Sequence, residues 1–135
     1  MFKSPILGAT LSGLLLAIGL APAASSGDLP DPTNIGFVVY AKSHAPGALI
    51  ARWMYTDRYR GSGIATGGPR EGYAGRYHVR YFYESGEFSD EYDLIIDKAG
   101  DAYKAYWLVD GTVLAYGVGM DLGNGLAVGW RRVAD

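Results

Sequence analysis

From about residue 35 onward, apolar and polar positions alternate with a period of two, and that alternation defines the elements of the chain. In "YAGRYHVRYFY" the residues Tyr77, Val79, Tyr81 and Tyr83 fall on one face and Arg76, His78 and Arg80 on the other, as in a strand with one buried side. "YDLIID" repeats the pattern with Tyr92, Leu94 and Ile96 opposed to Asp93 and Asp97, and "LAVGWRR" with Leu126, Val128 and Trp130 opposed to Gly129 and Arg131. "LIARWMY" aligns Leu49, Ala51, Trp53 and Tyr55 against Arg52, and "YKAYWLV" aligns Tyr103, Ala105, Trp107 and Val109. A further strand is expected over "IGFVVYAK", with Phe37 and Val39 inward. No apolar stripe recurs at helical spacing after residue 25 for more than a turn, so no helix of useful length is expected.

Between the strands lie residues suited to tight turns: Ser85-Gly86, Gly100, Asp110-Gly111 and Asn124-Gly125. Glycine has no Cβ to clash at positive φ, and Asn or Asp tolerates the left-handed region, which two-residue hairpins require. From Gly86 onward these turns recur every 11 to 14 residues, the spacing of an up-and-down meander. The expected fold is therefore all-β: an antiparallel meander of about seven or eight strands, closed or nearly closed into a barrel.

The glycines of "YGVGMDLGNG" suggest a nucleotide-binding loop, but such a loop needs a helix after it to hold the pyrophosphate. Here an alternating strand follows, and the Gly-Lys-Ser/Thr of a phosphate-binding loop is missing. Asn124-Gly125 is assigned to a hairpin turn, and Gly117 and Gly119 to a strand lying close against a neighbour. "RGSGIATGGPREGYAG" is read as a short strand near Gly63 to Thr66 followed by a long exposed loop, a place where function often sits.

The first residues follow a different logic. A lone Lys3, a mostly apolar run from Ile6 to Leu20 and small residues at Ala21 and Ala23 are the parts of a secretory signal, cut near Ala23 or Ala24. The domains expected are a signal peptide over 1-24, a linker over 25-34 and a barrel over 35-135. There is no cysteine, so an exported chain would hold its fold by packing alone, which suits a bacterial periplasm or medium. Without Lys3 the balance is 11 basic to 14 acidic residues, which gives no general attraction to nucleic acid or, after signal cleavage, to membrane.

The blocks "GYAGRYHVRYFYESG", "YDLIIDKAGDAYKAYWLVDG" and "YGVGMDLGNGLAVGW" resemble a pattern that recurs in small exported bacterial proteins of unknown function. Those proteins are similar, at a distance, to calycin-type barrels, the group of lipocalins and avidins. The resemblance covers most of the chain from about Gly47. It rests on Gly, Tyr and Trp placement and implies a fold; it transfers no site residue, since the cysteine pair, the Gly-x-Trp opening and a biotin-site set are all missing.

Catalytic equipment is sparse. There is no thiol, no Gly-x-Ser-x-Gly elbow and only two histidines, so neither a nucleophilic enzyme nor a structural zinc site is expected. Asp90, Glu91 and Asp93 lack the calcium-loop spacing and read as the solvent side of a strand. No cofactor or metal is expected. What stands out is aromatic content, 11 Tyr, 3 Trp and 4 Phe, much of it on inward faces. The expected function is an exported, non-enzymatic binding protein for a small apolar or aromatic ligand, lined by Trp53, Tyr77, Tyr81, Tyr103, Trp107 and Trp130. The alternative is a protein-interaction module, such as an inhibitor of an exported hydrolase, acting through Arg58, Arg60 and Arg70 in the Gly/Arg-rich stretch 58-76.

Overall fold

The computed structural model of the chain describes residues 28–134. The expected signal peptide, the first residues of the linker and Asp135 lie outside the described residues. Eight strands follow one another in sequence: β1 (Gly36–Lys42), β2 (Leu49–Tyr55), β3 (Tyr59–Thr66), β4 (Gly75–Tyr83), β5 (Phe88–Ala99), β6 (Ala102–Val109), β7 (Thr112–Asp121) and β8 (Leu126–Arg132). Each pairs antiparallel with the next, and β8 pairs antiparallel with β1, so the sheet is a closed meander barrel. Closure leaves no sheet edge exposed.

At one end of the barrel lie the turns β1–β2, β3–β4, β5–β6 and β7–β8; at the other lie β2–β3, β4–β5, β6–β7 and both ends of the described chain. The Asp110-Gly111 turn carries positive φ at both residues, 51° and 81°, as a two-residue hairpin requires. The β7–β8 turn differs from expectation. Its left-handed residue is Gly123, φ 94°, whose N–H donates to the Asp121 carboxylate at 2.8 Å, while Leu122 N–H donates to Gly125 O at 2.8 Å. The connection therefore spans 122–125, because the Asp121 side chain captures the glycine one turn position early.

The interior is filled by alternating large and small side chains. Gly36 pairs with Tyr55 on one side and Trp130 on the other, and those two rings stack over it with centroids 5.1 Å apart and planes 12° from parallel. Gly61 likewise lies between Trp53 and Tyr83, whose ring centroids are 6.0 Å apart. Gly36 makes room for the Trp130 ring, which an added Cβ would meet at 2.1 Å, whereas Gly61 makes room for the backbone of β4, where an added Cβ would stand 1.8 Å from Phe82 O. This also corrects the expectation of a short strand near Gly63: β3 begins at Tyr59, since Gly61 and Gly63 let the β4 backbone and the Tyr81 ring approach closely.

Strand orientation departs from expectation in β1. Val38 and Tyr40 are fully buried, whereas Phe37 is 47% exposed. Both faces of β1 are apolar, so alternation cannot select one; the choice falls to Tyr40, whose hydroxyl reaches the hydroxyl of Tyr81 at 2.6 Å across the interior. In β6 a bulge between Trp107 and Leu108 turns Leu108 to a buried position and leaves Val109 exposed, against the expected inward Val109. Asn34 seals the β1–β8 seam: its side chain accepts from Arg132 N–H at 2.8 Å and donates to Arg132 O at 3.2 Å.

Candidate binding site

The six aromatic residues singled out in the sequence all point inward and are buried. They do not enclose one hollow. Trp107 and Tyr81 meet directly, the indole N–H donating to the Tyr81 hydroxyl at 2.8 Å, and Tyr40 completes a hydrogen-bonded chain of three fully buried side chains. Trp130 packs against Trp107 with centroids 6.0 Å apart, and Trp53 donates its indole N–H to Ser62 O at 3.0 Å and Phe82 O at 3.2 Å. The polar tips of Tyr40, Tyr81, Trp107 and Trp53 are thus satisfied by protein groups, which is what a buried Tyr or Trp needs. Tyr77 and Tyr103 sit apart from this group, toward the end where β3–β4 crosses the barrel.

That end is closed by the loop between β3 and β4. Gly68 N–H donates to Gly47 O at 3.0 Å, which ties the loop to the β1–β2 turn. Tyr73 is the loop's one buried side chain, 8% exposed. Its ring stands edge-on to Tyr103 with centroids 6.4 Å apart, the Lys42 ammonium lies 5.4 Å over its face, and its carbonyl accepts from the Tyr77 hydroxyl at 2.8 Å. Lys98 lies 5.4 Å over Tyr103. Beside the loop tip a cleft of about 440 Å³ runs between Lys42–Gly47 and Arg70–Gly72. Tyr73 was not among the expected site residues; its position in a glycine-rich segment gave no periodic signal.

The other end holds a second cleft, of about 430 Å³, bordered by Arg80, Phe88, Asp90, Tyr92, Val109 and Leu114. Asp90 corrects the sequence reading. It was expected on the solvent side of its strand, but it is only 6% exposed. A bulge shifts the β4–β5 register between Tyr81 and Phe82, so that Ser89 and Asp90 are both turned inward. The carboxylate accepts from Ser89 at 2.9 Å and from the Tyr92 hydroxyl at 2.5 Å.

Arg58, Arg60 and Arg70 are not brought together. Arg58 and Arg60 lie at the β2–β3 end, Arg58 with its guanidinium 4.0 Å from Asp31, and Arg70 lies on the β3–β4 loop at the opposite end. The length of β3, about 26 Å at strand rise, separates them. On the solvated outer face of β4 and β5, Arg80 pairs instead with Glu91 at 3.2 Å, and the His78 ring nitrogens lie 3.8 Å from Glu91 and 3.7 Å from Asp93. Such half-exposed pairs contribute about 1 kcal/mol or less. The far side of the barrel is apolar. Tyr116, Val118 and Met120 project outward from β7, Phe37 and Val39 from β1, and only the small Ala127 and Gly129 lie between them on β8, with Val118 68% and Met120 60% exposed.

Burial governs the ionisation of the interior. The Tyr40 and Tyr81 hydroxyls are pushed well above the ordinary tyrosine value by desolvation, with the neighbouring Tyr81 adding to the rise at Tyr40; Tyr77 is pushed up to about 12, chiefly by desolvation and then by Tyr73. In the unfolded chain these groups titrate near 10. A folded value raised above the unfolded one means that the stabilisation is complete below about pH 10 and is lost as pH rises from there through about 12 and beyond. Alkaline titration should show phenolate absorbance from these residues only as the near-ultraviolet circular dichroism of the barrel collapses. Complete tyrosine ionisation near pH 10 with the dichroism intact would contradict their burial.

Compared with protein-family models, curated proteins and solved structures, the chain gives no match. Its class is defined by architecture: a closed eight-stranded antiparallel meander barrel with an aromatic core. Among the described residues no group of three or more His, Cys, Asp or Glu is placed to hold a metal ion.

Proposed function

We propose that this is an exported, non-enzymatic binding protein for a small aromatic or apolar ligand, built on a calycin-like barrel. The observation that carries the reading is the loop-covered mouth, where Tyr73, Tyr77 and Tyr103 converge beside an open cleft. A small ligand needs apolar walls with a few polar contacts, and these rings and hydroxyls supply both. The deeper aromatic layer of Trp53, Tyr81, Trp107 and Trp130 is the floor beneath: Trp107 bonds to Tyr81, Trp53 bonds to backbone, and Trp130 packs its ring on Trp107.

A second reading, a protein-interaction module, is supported by the apolar outer face of β7, β8 and β1. On the outward positions of those three strands Arg131 is the one charged residue, and contiguous apolar surface of this kind is typical of surfaces that meet a partner. Its site would be that face rather than the dispersed arginines.

Native mass spectrometry of the purified exported protein separates the two. A mass excess of small-molecule size that is lost on denaturation is the expected result. A dimer or a complex with another chain, with no small-molecule excess, would replace the first reading with the second. A bare monomer that also gains no mass from a panel of aromatic compounds would sink the ligand reading.

A further inference from the structure

The loop tip at the barrel mouth carries its own imitation of a ligand. Of residues 67–74 only Tyr73 is buried, and the residue before it, Gly72, holds φ 74° with nothing within 4 Å of where a side chain would begin. The loop is pinned upstream of that point. Gly68 is hydrogen-bonded to Gly47, and Pro69 sits on Gly75, where an added Cβ would come within 2.6 Å of the proline ring. The segment Arg70–Tyr73 takes no part in strand pairing, so its displacement as a short flap would leave the barrel strands paired. The cleft of about 440 Å³ is lined on one side by the flap's own Arg70, Glu71 and Gly72 and on the other by Lys42–Gly47.

The slot that Tyr73 fills has definite chemistry. One wall is the Tyr103 ring, set 88° to that of Tyr73, a cation lies over the ring face at Lys42, and the Tyr77 hydroxyl donates into the slot's rim at the Tyr73 carbonyl. The slot already holds a phenol, that of Tyr73 packed against Tyr103, and burial first and Asp121 second raise its pKa, in keeping with a neutral hydroxyl at this side. The cleft side has the opposite preference. Lys42 and Arg70 border it against the single acid Glu71. A planar ring under a cation, a donor at its far end and a cationic exit together describe one kind of molecule.

We propose that the mouth is a binding site for a hydroxyaromatic or indole carboxylic acid, whose ring takes the slot of Tyr73 and whose carboxylate meets Lys42 and Arg70. This rests on the small-ligand reading above and narrows it. Tyr73 acts as an internal competitor: binding requires the flap to open, and the apparent affinity is reduced by the fraction of time the slot is free. A cation over an aromatic face gains more when the site is dry, so a ligand ring in the buried slot that Tyr73 vacates gains from Lys42.

The test is calorimetric titration with three probes of one shape and different charge: 4-hydroxyphenylacetate, 4-methylphenol and tyramine. Tyr73→Ala, checked for a cooperative thermal transition, should bind 4-hydroxyphenylacetate about tenfold more tightly than the unaltered chain, the gain for a slot that is free about one part in ten. Adding Lys42→Ala should weaken both probes but the acid severalfold more than 4-methylphenol, since 4-methylphenol loses only the cation over its ring and the acid also loses the charge contact. Tyramine binding as tightly as the acid would overturn the charge assignment. An unaltered chain that binds an aromatic probe with an affinity unchanged by Tyr73→Ala would overturn the slot but keep the ligand reading, whereas no binding of any probe by either protein would overturn both. If Tyr73→Ala does not fold, the unaltered chain with isotopically labelled tyrosine decides: saturating 4-hydroxyphenylacetate should shift the ring signals of Tyr73 and Tyr103, and unmoved signals would overturn the proposal.

Discussion

Trp107→Ala is expected to lower the stability of the barrel by about 3 to 5 kcal/mol, the range for truncating a large aromatic residue in a close-packed core. Trp107 has no solvent exposure, its ring packs on Trp130, and its N–H donates to the Tyr81 hydroxyl at 2.8 Å. Removing the indole leaves a void between strands that are fixed by barrel closure and cannot collapse inward. It also takes a partner from the Tyr81 hydroxyl, which then depends on Tyr40 alone for the contact at 2.6 Å. Urea unfolding followed by far-ultraviolet circular dichroism measures the loss. Tyr81→Phe, which keeps the ring and removes the hydroxyl that both Trp107 and Tyr40 bond to, should cost about 1 kcal/mol, the net worth of a buried hydrogen bond. A Trp107→Ala loss below about 1 kcal/mol would mean that the interior is loosely filled, and the aromatic floor could then not be treated as rigid.

The second large effect is expected from a single added methyl group. In Gly61→Ala the new Cβ would stand 1.8 Å from the Phe82 carbonyl oxygen, 2.8 Å from its carbon and 2.9 Å from the Tyr83 Cα. These are backbone atoms of the neighbouring strand, so no rotamer change relieves the overlap. That same carbonyl accepts the Trp53 indole N–H at 3.2 Å, so β4 cannot retreat without breaking a buried hydrogen bond. Overpacking ordinarily costs about 1 to 3 kcal/mol; with strand pairing also disturbed, a loss at or above the top of that range is expected. Gly129→Ala is the control, because nothing lies within 4 Å of its added Cβ and an outward strand position should change stability by about 0.5 kcal/mol or less. Equal melting temperatures for the two variants would refute the close β3–β4 approach.

Reading the sequence succeeded where one face of a strand is charged. β4 is the clearest case: Arg76, His78 and Arg80 cannot share a core, so Tyr77, Val79 and Tyr81 must. β2 and β8 were legible for the same reason, through Arg52 and Arg131. The reading failed in β1, where Phe37 and Val39 compete with Val38 and Tyr40 on equal hydrophobic terms. A one-residue shift of phase exchanges the two faces, and only the partner rings over Gly36 and the Tyr40–Tyr81 contact decide between them. Bulges defeated it twice more, at Val109 and at Asp90, because an extra residue in one strand leaves no mark in the alternation.

The candidate site was legible in part. The six expected aromatics do face inward, yet spacing along strands says nothing about whether their tips point to a shared hollow or to each other. Tyr73 was invisible for a different reason. It lies in a loop with no period, and its burial comes from crossing the mouth and meeting Lys42 and Tyr103, residues about 30 positions away on either side in sequence. The three arginines illustrate the converse: they cluster in the sequence, but a strand runs out between them and places them at opposite ends.

The sequence by itself determined that the domain is an antiparallel meander, because period-two alternation and turn residues are local properties set by backbone sterics and by which side chains tolerate water. It also determined that the core is aromatic. Tertiary structure alone decided that the sheet closes β8 onto β1, which face of an all-apolar strand is inside, that Asp90 is buried, and that one loop tyrosine fills the mouth. These depend on contacts between residues distant in the chain, whose energies are fixed by the packing of whole rings against glycines and by hydrogen bonds across the interior, none of which any single strand carries in its own pattern.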